Sequence, residues 1–194
     1  MQNSEALKKE ILGNCSLTER QWEECLCSFT YRKLRAGELL LNQGDVAHFV
    51  AYVQSGVLVY YRSMETGDDY TTDFGFSGDW VCDMYSRLNS RPASINIKAL
   101  EDSDVFILYQ SELEKLLVRF PALEKMIRIL TERAFLKLLH QSLHLQIIDA
   151  KERYLKLLEE NPGILQKVPL YHIANYLGIA PKSLSRIRKE IAGE

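Results

Sequence analysis

The stretch Leu170 to Ile191 reads LYHIANYLGIAPKSLSRIRKEI and has the residue pattern of a helix-turn-helix. Two helices that cross steeply need a small residue at their contact and, between them, a residue that tolerates positive φ. Ala174 supplies the first and Gly178 the second. Pro181 suits the first turn of the second helix, where its missing N–H is not needed. The stretch therefore predicts two short helices joined by a tight turn.

The polar residues of the second helix should form one exposed face. The residues predicted to point inward are Ile173, Leu177, Ile179, Leu184, Ile187 and Ile191. Helical periodicity then turns towards solvent Lys182, Ser185, Arg186 and Lys189, with Ser183 and Arg188 beside them. Arg can bind guanine O6 and N7 with two hydrogen bonds, and Lys and Ser can hold phosphates. The face favours contact with double-stranded DNA, although an ordinary helical hairpin with a basic surface has the same apolar spacing.

Charge is distributed unevenly along the 194 residues. Met1 to Phe120 contain 12 Lys and Arg against 18 Asp and Glu, whereas Lys151 to Glu194 contain 8 against 5. The formal net charge of the whole chain is −2, which alone argues weakly against a nucleic-acid binder. Because the part that carries the helix-turn-helix pattern is positive, the distribution favours DNA binding there.

Composition indicates a folded chain without a membrane segment. Hydrophobic residues make up 46% of the chain, and no apolar run approaches the ~20 residues of a membrane span. The first ten residues, MQNSEALKKE, are too polar for a signal peptide. These features predict a cytoplasmic protein with no membrane partner. In that compartment the four cysteines are expected to be free thiols rather than disulfides.

The segment from Tyr31 to Leu108 has the pattern of an antiparallel β domain. Short β-rich runs such as GVLVYY and VFILY are separated at close intervals by Gly, Asn, Asp and Ser. A short amphipathic helix is predicted next, from Ser111 to Val118, with Ser111 as its N-cap. Pro121 separates this helix from a long helical segment. Together with the C-terminal helices, this order predicts an α+β protein.

The long segment, Ala122 to Ile147, is apolar over too wide an angle to be covered by one neighbour. One stripe contains Leu123, Ile127, Leu130, Ala134 and Leu138. An adjoining stripe contains Met126, Ile129, Leu136, Leu143 and Ile147. The helix can be buried entirely against its own β domain, or one stripe can pair with a second copy of the chain, which helix-turn-helix proteins need to read two half-sites. We expect the homodimer, with the first stripe at its interface.

The order of these parts, a β-roll, a long helix and a C-terminal helix-turn-helix, resembles the Crp/Fnr family of bacterial transcription regulators. The segments that carry the resemblance include RAGELLLNQGD at 35–45 and QSGVLVYY at 54–61. A third is FSGDWV, which comes just before the segment that binds the ligand in this family, the ligand cassette. They also include AKERYLKLLEENP at 150–162 and YLGIAPKSLSRIRK at 176–189. The last two resemble the branch of the family common in Bacteroidetes-type bacteria.

The resemblance implies three parts: a cyclic nucleotide-binding-like, cupin-like β-roll (a double-stranded β-helix) at 1–120, a dimerisation helix at 121–148 and a DNA-binding helix-turn-helix at 149–194. It implies a regulator, not an enzyme, that binds a pseudo-palindromic operator as a homodimer, with RNA polymerase as a further partner. Arg186 stands where the family's recognition helix contacts a guanine. Lys182 stands where an acidic base-reader is usual, so the preferred site should differ. We expect most of the family's β-hairpin wing to be lacking.

The ligand cassette departs from the family's pattern. Family members that bind cyclic nucleotides have the residues GE at the start of the cassette, where the Glu binds the ribose. Farther along they have RSA or RTA, where the Arg pairs with the phosphate. When this sequence is aligned to the cassette without gaps, Asp83 stands at the ribose position, and Ala93 and Ser94 stand at the phosphate position. A cation for the phosphate would have to come from a different position, Arg91 or Arg87. A buried phosphate without a cation is costly. We therefore predict no cofactor and an unknown effector that is not cyclic AMP, with a cyclic-nucleotide-responsive regulator as the alternative.

A redox-sensing regulator that uses its cysteines is a further alternative. The thiols are Cys15, Cys25, Cys27 and Cys82. Their spacing suits the wrapping of an iron–sulfur cluster by one loop poorly, which favours structural thiols. His140 and His144 share one side of the long helix, but no carboxylate completes a metal site there. An enzyme is disfavoured, because the β domain has His48 as its only histidine and no nucleophile motif or phosphate-cradling glycine loop.

Overall fold

The computed structural model describes residues 4–193 and has the predicted α+β architecture. Met1–Asn3 and Glu194 lie outside the described residues. The predictions for the polar N-terminus and for the outer limits of the first and last domains include these residues. The helices are α1 Glu5–Asn14, α2 Glu19–Leu26, α3 Met84–Asn89, α4 Gln110–Arg119, α5 Ala122–Ile147, α6 Ala150–Glu160, α7 Ile164–Lys167, α8 Leu170–Tyr176 and α9 Pro181–Ala192. The strands are β1 Thr30–Leu34, β2 Leu39–Leu41, β3 Phe49–Ser55, β4 Val57–Ser63, β5 Asp69–Phe76, β6 Trp80–Val81, β7 Asn96–Ala99 and β8 Ser103–Tyr109.

The strands form a β-roll of two four-stranded antiparallel sheets. One sheet has the order β1-β8-β3-β6 and the other has the order β2-β7-β4-β5. Their inner faces share a core that includes Leu34, Val53, Leu58 and Ile97. Gly56 joins β3 to β4 with a φ of 100°, and a Cβ there would lie 2.8 Å from the Ser103 Cα. Only glycine therefore fits this corner, which passes the chain from one sheet to the other.

Helices α1, α2 and α4 pack with the start of α5 on the outside of the first sheet and enclose a second core. Helix α4 has its N-cap at Tyr109, two residues earlier than predicted, so the predicted N-cap Ser111 lies inside the helix. The reason is that β8 stays paired to its last residue. Tyr109 lies opposite Phe49, and the Gln110 N–H donates to the His48 carbonyl oxygen at 2.8 Å.

Helix α5 has the bounds that the sequence predicts, but its two halves differ in environment. Leu123 and Met126 are buried against the helices of the β domain. From Thr131 to His140 every residue is exposed. Within residues 4–193, no helix combines the length and apolarity needed to cross a bilayer. The first half of α5 thus belongs to the core of its own domain, and the second half leads to the C-terminal helices.

Helices α8 and α9 form the predicted helix-turn-helix. Ala174 is fully buried at their contact, and Gly178 takes a φ of 69° in the turn. Pro181 occupies the first turn of α9. The prediction was wrong for Ile191, which is 40% exposed because it lies in the last turn of α9, beyond the final buried residue, Ile187.

Candidate DNA-binding face and ligand cavities

The outer face of α9 presents the donors that the sequence predicts. Lys182, Ser185, Arg186, Arg188 and Lys189 are exposed, and Ser183 is half-buried. Leu184 and Ile187 hold the opposite side of the helix in the core. Ala180 is the N-cap and has no side-chain acceptor for the first turn of α9. The Ser183 N–H donates to the Ala180 carbonyl oxygen at 2.9 Å, and Pro181 has no N–H. Helix N-termini of this kind bind phosphate.

The helix-turn-helix is docked on the β-roll of its own chain. Its core continues into the outer face of the second sheet through Val57, Val59, Tyr61 and Phe74. Helix α8 lies along β5, where the Asn175 side-chain amide donates to the Asp69 carbonyl oxygen at 2.7 Å. The Tyr176 and Phe74 rings have centroids 5.2 Å apart. Sequence analysis did not predict this contact.

A buried histidine lies at the centre of this docked interface. His172 is 1% exposed, and its Nδ1 lies 2.6 Å from the Thr71 hydroxyl oxygen. Burial and, to a smaller extent, nearby Lys98 lower the pKa of His172 to about 4, although Asp69 acts in the opposite direction. At neutral pH the ring is therefore uncharged. The docked arrangement therefore encloses a neutral imidazole.

A cavity of about 300 Å³ lies between the β-roll, α3 and α5, and we name it the effector cavity as the candidate site for an effector. Its lining includes Tyr60, Asp79, Trp80, Arg87 and Leu130. The Trp80 Nε1 and Arg87 Nε atoms are buried, and none of the described residues pairs with them. Burial raises the pKa of the Asp79 carboxyl. The cavity therefore combines aromatic and apolar side chains with charged ones.

The cassette residues predicted to hold an effector do not line this cavity. Asp83 is the N-cap of α3 and accepts from the Ser86 N–H at 2.9 Å, because a helix follows it directly. Ala93 is buried in the core of the roll. Arg91 and Ser94 are exposed. The predicted effector set therefore stays a prediction, and of the two displaced cations the structure places Arg87 at this cavity.

The other cations at the effector cavity are neutralised within the chain. The Arg133 guanidinium pairs with the Glu10 carboxylate at 3.1 Å, and the Lys137 ammonium pairs with the Asp73 carboxylate at 2.7 Å. Arg87 instead donates through Nη1 to the neutral Gln110 side chain at 2.6 Å. Arg87 is thus the cation most readily available to an anionic ligand.

The residues predicted at the dimer interface divide into two groups. Leu123 is 4% exposed in its own domain's core, and Ile127 and Leu130 pack partly against the same core. Ala134 and Leu138 are exposed. The prediction was therefore wrong for Leu123, because the first turns of α5 are covered by helices of the same chain rather than by a second copy.

A different exposed stripe lies farther along α5. One side of this part of α5 contacts the rest of the chain. Its contacts are Arg133 with Glu10, Lys137 with Asp73, Gln141 with Tyr176 and His144 with Lys156. Helical periodicity turns the intervening apolar residues to the opposite side. These are Phe135, Leu139 and Leu143, which are 65%, 43% and 43% exposed. We name them the outer stripe.

The cysteine placement supports the structural-thiol interpretation. Cys15 and Cys25 are buried in the core of α1, α2 and α4, Cys82 is half-buried and Cys27 is exposed. Burial raises the pKa of the Cys25 thiol to about 12, so the thiol stays protonated. Across residues 4–193, no group of three or more His, Cys, Asp or Glu side chains is placed to hold a metal ion.

Comparison with known proteins agrees with this architecture. Residues 31–120 match the family of the cyclic nucleotide-binding domain. The transcriptional activator protein Anr of Pseudomonas protegens is 25% identical over 167 residues, which cover 80% of this chain and 68% of Anr. FixK2 from Bradyrhizobium japonicum has a TM-score of 0.73 at 20% identity, with 85% of each chain covered. The global regulator CLP of Xanthomonas campestris has a TM-score of 0.72 at 16% identity, covering 91% of this chain and 92% of CLP. Residues 31–120 are therefore similar to a cyclic nucleotide-binding domain, and the chain has a fold similar to those of FixK2 and CLP.

Proposed function

We propose that the protein regulates transcription by binding a pseudo-palindromic DNA site as a homodimer. The observation that carries this proposal is the exposed face of α9, where Lys182, Ser185, Arg186 and Lys189 lie together while Leu184 and Ile187 anchor the helix. Arg186 is the base-reading residue, and the lysines and the serine hold phosphates. The regulator acts by occupying DNA and performs no catalysis.

The test of this proposal is a DNA selection followed by substitution. Sites selected from a random library should bind the wild-type protein with an affinity that falls steeply as salt rises. Arg186→Ala should lose about 1–3 kcal/mol at the best site and should relax the sequence preference at one position per half-site. Lys189→Ala should weaken all sequences alike. Gel retardation at fixed salt measures both effects.

The matched control for these substitutions is Arg119→Ala, which removes an exposed arginine of the β domain that pairs with Glu24. It should leave the DNA affinity unchanged. The docking of α9 is refuted if Arg186→Ala binds the selected site as tightly as the wild type does.

We further propose that cyclic AMP and cyclic GMP are not the effectors. In the cassette Asp83 is engaged as a helix cap and Ala93 lies in the core, so neither a ribose acceptor nor a phosphate arginine is in the expected place. Calorimetry should therefore detect no binding of either nucleotide tighter than about 1 mM, which corresponds to roughly −4 kcal/mol. Micromolar binding that Arg87→Gln abolishes would contradict this prediction and identify Arg87 as the phosphate partner.

A further inference from the structure

A second cavity, of about 400 Å³, lies where β5, α5, α6 and α8 meet. We name it the hinge cavity, because it lies between the roll, the long helix and the helix-turn-helix. Its apolar lining includes Leu145, Leu157 and Leu177. Its cationic lining consists of Lys137, Arg153 and Lys156. A cavity with an apolar part and a few convergent polar groups is typical of small-molecule sites.

Arg153 is held rigidly at this cavity. Its Nη1 donates to the Ile148 carbonyl oxygen at 2.5 Å, and its Nη2 donates to the Leu177 carbonyl oxygen at 3.1 Å. These carbonyls lie at the C-terminal ends of α5 and α8. The Nε atom of Arg153 is buried, and no described residue accepts from it. The contacts of Nη1 and Nη2 fix the guanidinium, so its positive charge stays beside the cavity.

Lys156 supplies a second cationic group on the same helix. Its Nζ lies 3.5 Å from the His144 Nε2, and the nearest Glu152 oxygen is 4.0 Å away. Lys137, by contrast, is closely paired with Asp73. Glu160 is the carboxylate in the lining. Arg153 and Lys156 together therefore exceed the negative charge that faces the cavity.

We propose that the hinge cavity binds a small amphipathic anion. The apolar part of the ligand lies on Leu145, Leu157 and Leu177, and its anionic group is bound by the Lys156 ammonium, with the Arg153 guanidinium adding positive charge beside it. Thr72 of β5 lines the same cavity, so the ligand contacts the roll, the long helix and the C-terminal helices together. Binding stabilises one orientation of the DNA-reading helices, since a ligand favours the state with which it makes more contacts. This site is separate from the effector cavity.

The test uses a probe pair that differs only in charge. The probe 1-anilinonaphthalene-8-sulfonate carries an aromatic body and a sulfonate, and N-phenyl-1-naphthylamine is the same body without the sulfonate. Titrations of the full chain, followed by probe fluorescence without DNA, should give one anionic-probe site per chain. The anionic probe should bind at least about tenfold more tightly than the neutral probe, because charge-assisted hydrogen bonds are stronger. The outcome is independent of whether the protein binds DNA.

Substitutions locate the site. Lys156→Gln should remove most of the preference for the anionic probe while the neutral probe still binds, which shows that the cavity remains intact. Lys151→Gln is the matched control, because Lys151 lies on the same helix but pairs with Glu190 outside the cavity. The proposal is overturned if Lys156→Gln leaves the preference intact, or if Arg87→Gln in the effector cavity removes it instead. Probe bound merely to the outer stripe would respond to neither change and would also overturn it.

Discussion

Replacing Leu139 and Leu143 together by glutamate should convert the proposed dimer into a monomer. Both residues belong to the outer stripe and face away from their own chain, so a second copy is the partner that the proposed dimer offers them. Each carboxylate buried there without a partner costs on the order of several kcal/mol. The dissociation constant of the dimer should therefore rise by more than about a thousandfold. Sedimentation at micromolar concentration measures this change.

The matched control for the dimer variant is Leu155→Glu combined with Leu165→Glu. These leucines are 43% and 40% exposed, similar to Leu139 and Leu143, but lie outside α5. This control should remain dimeric. A wild-type protein that sediments as a monomer, or a Leu139→Glu/Leu143→Glu variant that remains dimeric, would refute the interface. Substitution of Leu130 is unsuitable for this test, because Leu130 packs against its own domain.

The features that the sequence predicts best are those that local periodicity determines. The bounds of α5 follow from Pro121 and from a long apolar pattern, and the helix-turn-helix follows from Ala174, Gly178 and Pro181. Each of these signals lies within one or two turns of the structure that it specifies. The same periodicity identifies apolar faces without identifying their partners. For this reason Leu123 could be assigned to the dimer although its own chain buries it.

The contacts that sequence analysis missed join residues far apart in the chain. The hydrogen bond between Thr71 and His172 joins residues that are 101 positions apart in the sequence. The hydrogen bond from Arg153 to the Leu177 carbonyl oxygen joins residues that are 24 positions apart. No local pattern encodes such pairs. The cassette residues lie outside the candidate cavity for a different reason, since a gapless register assumes an unchanged loop. Here Asp83 is followed directly by α3, which uses its carboxylate as a cap.

Acidification should release the helix-turn-helix from the roll, because His172 must be neutral in the docked state. The pKa of His172 is about 4 when docked, against about 6.5 in an exposed chain. The docked state thus binds fewer protons, so its stability is complete above pH 6.5 and is lost as the pH falls from there towards 4. The loss should reach about 2 kcal/mol at pH 5. Urea unfolding at several pH values measures it.

The variant His172→Gln isolates this effect from the carboxylates that titrate over the same range. Glutamine can still hydrogen-bond to the Thr71 hydroxyl but cannot gain a proton, so the variant should lose less stability between pH 7 and pH 5 than the wild type does. His48→Gln, at an exposed position of the roll, should retain the wild-type pH dependence. Equal pH dependence in wild type and His172→Gln would show that His172 does not control docking. A difference near 2 kcal/mol would make its burial between α8 and β5 the acid-sensitive contact of this interface.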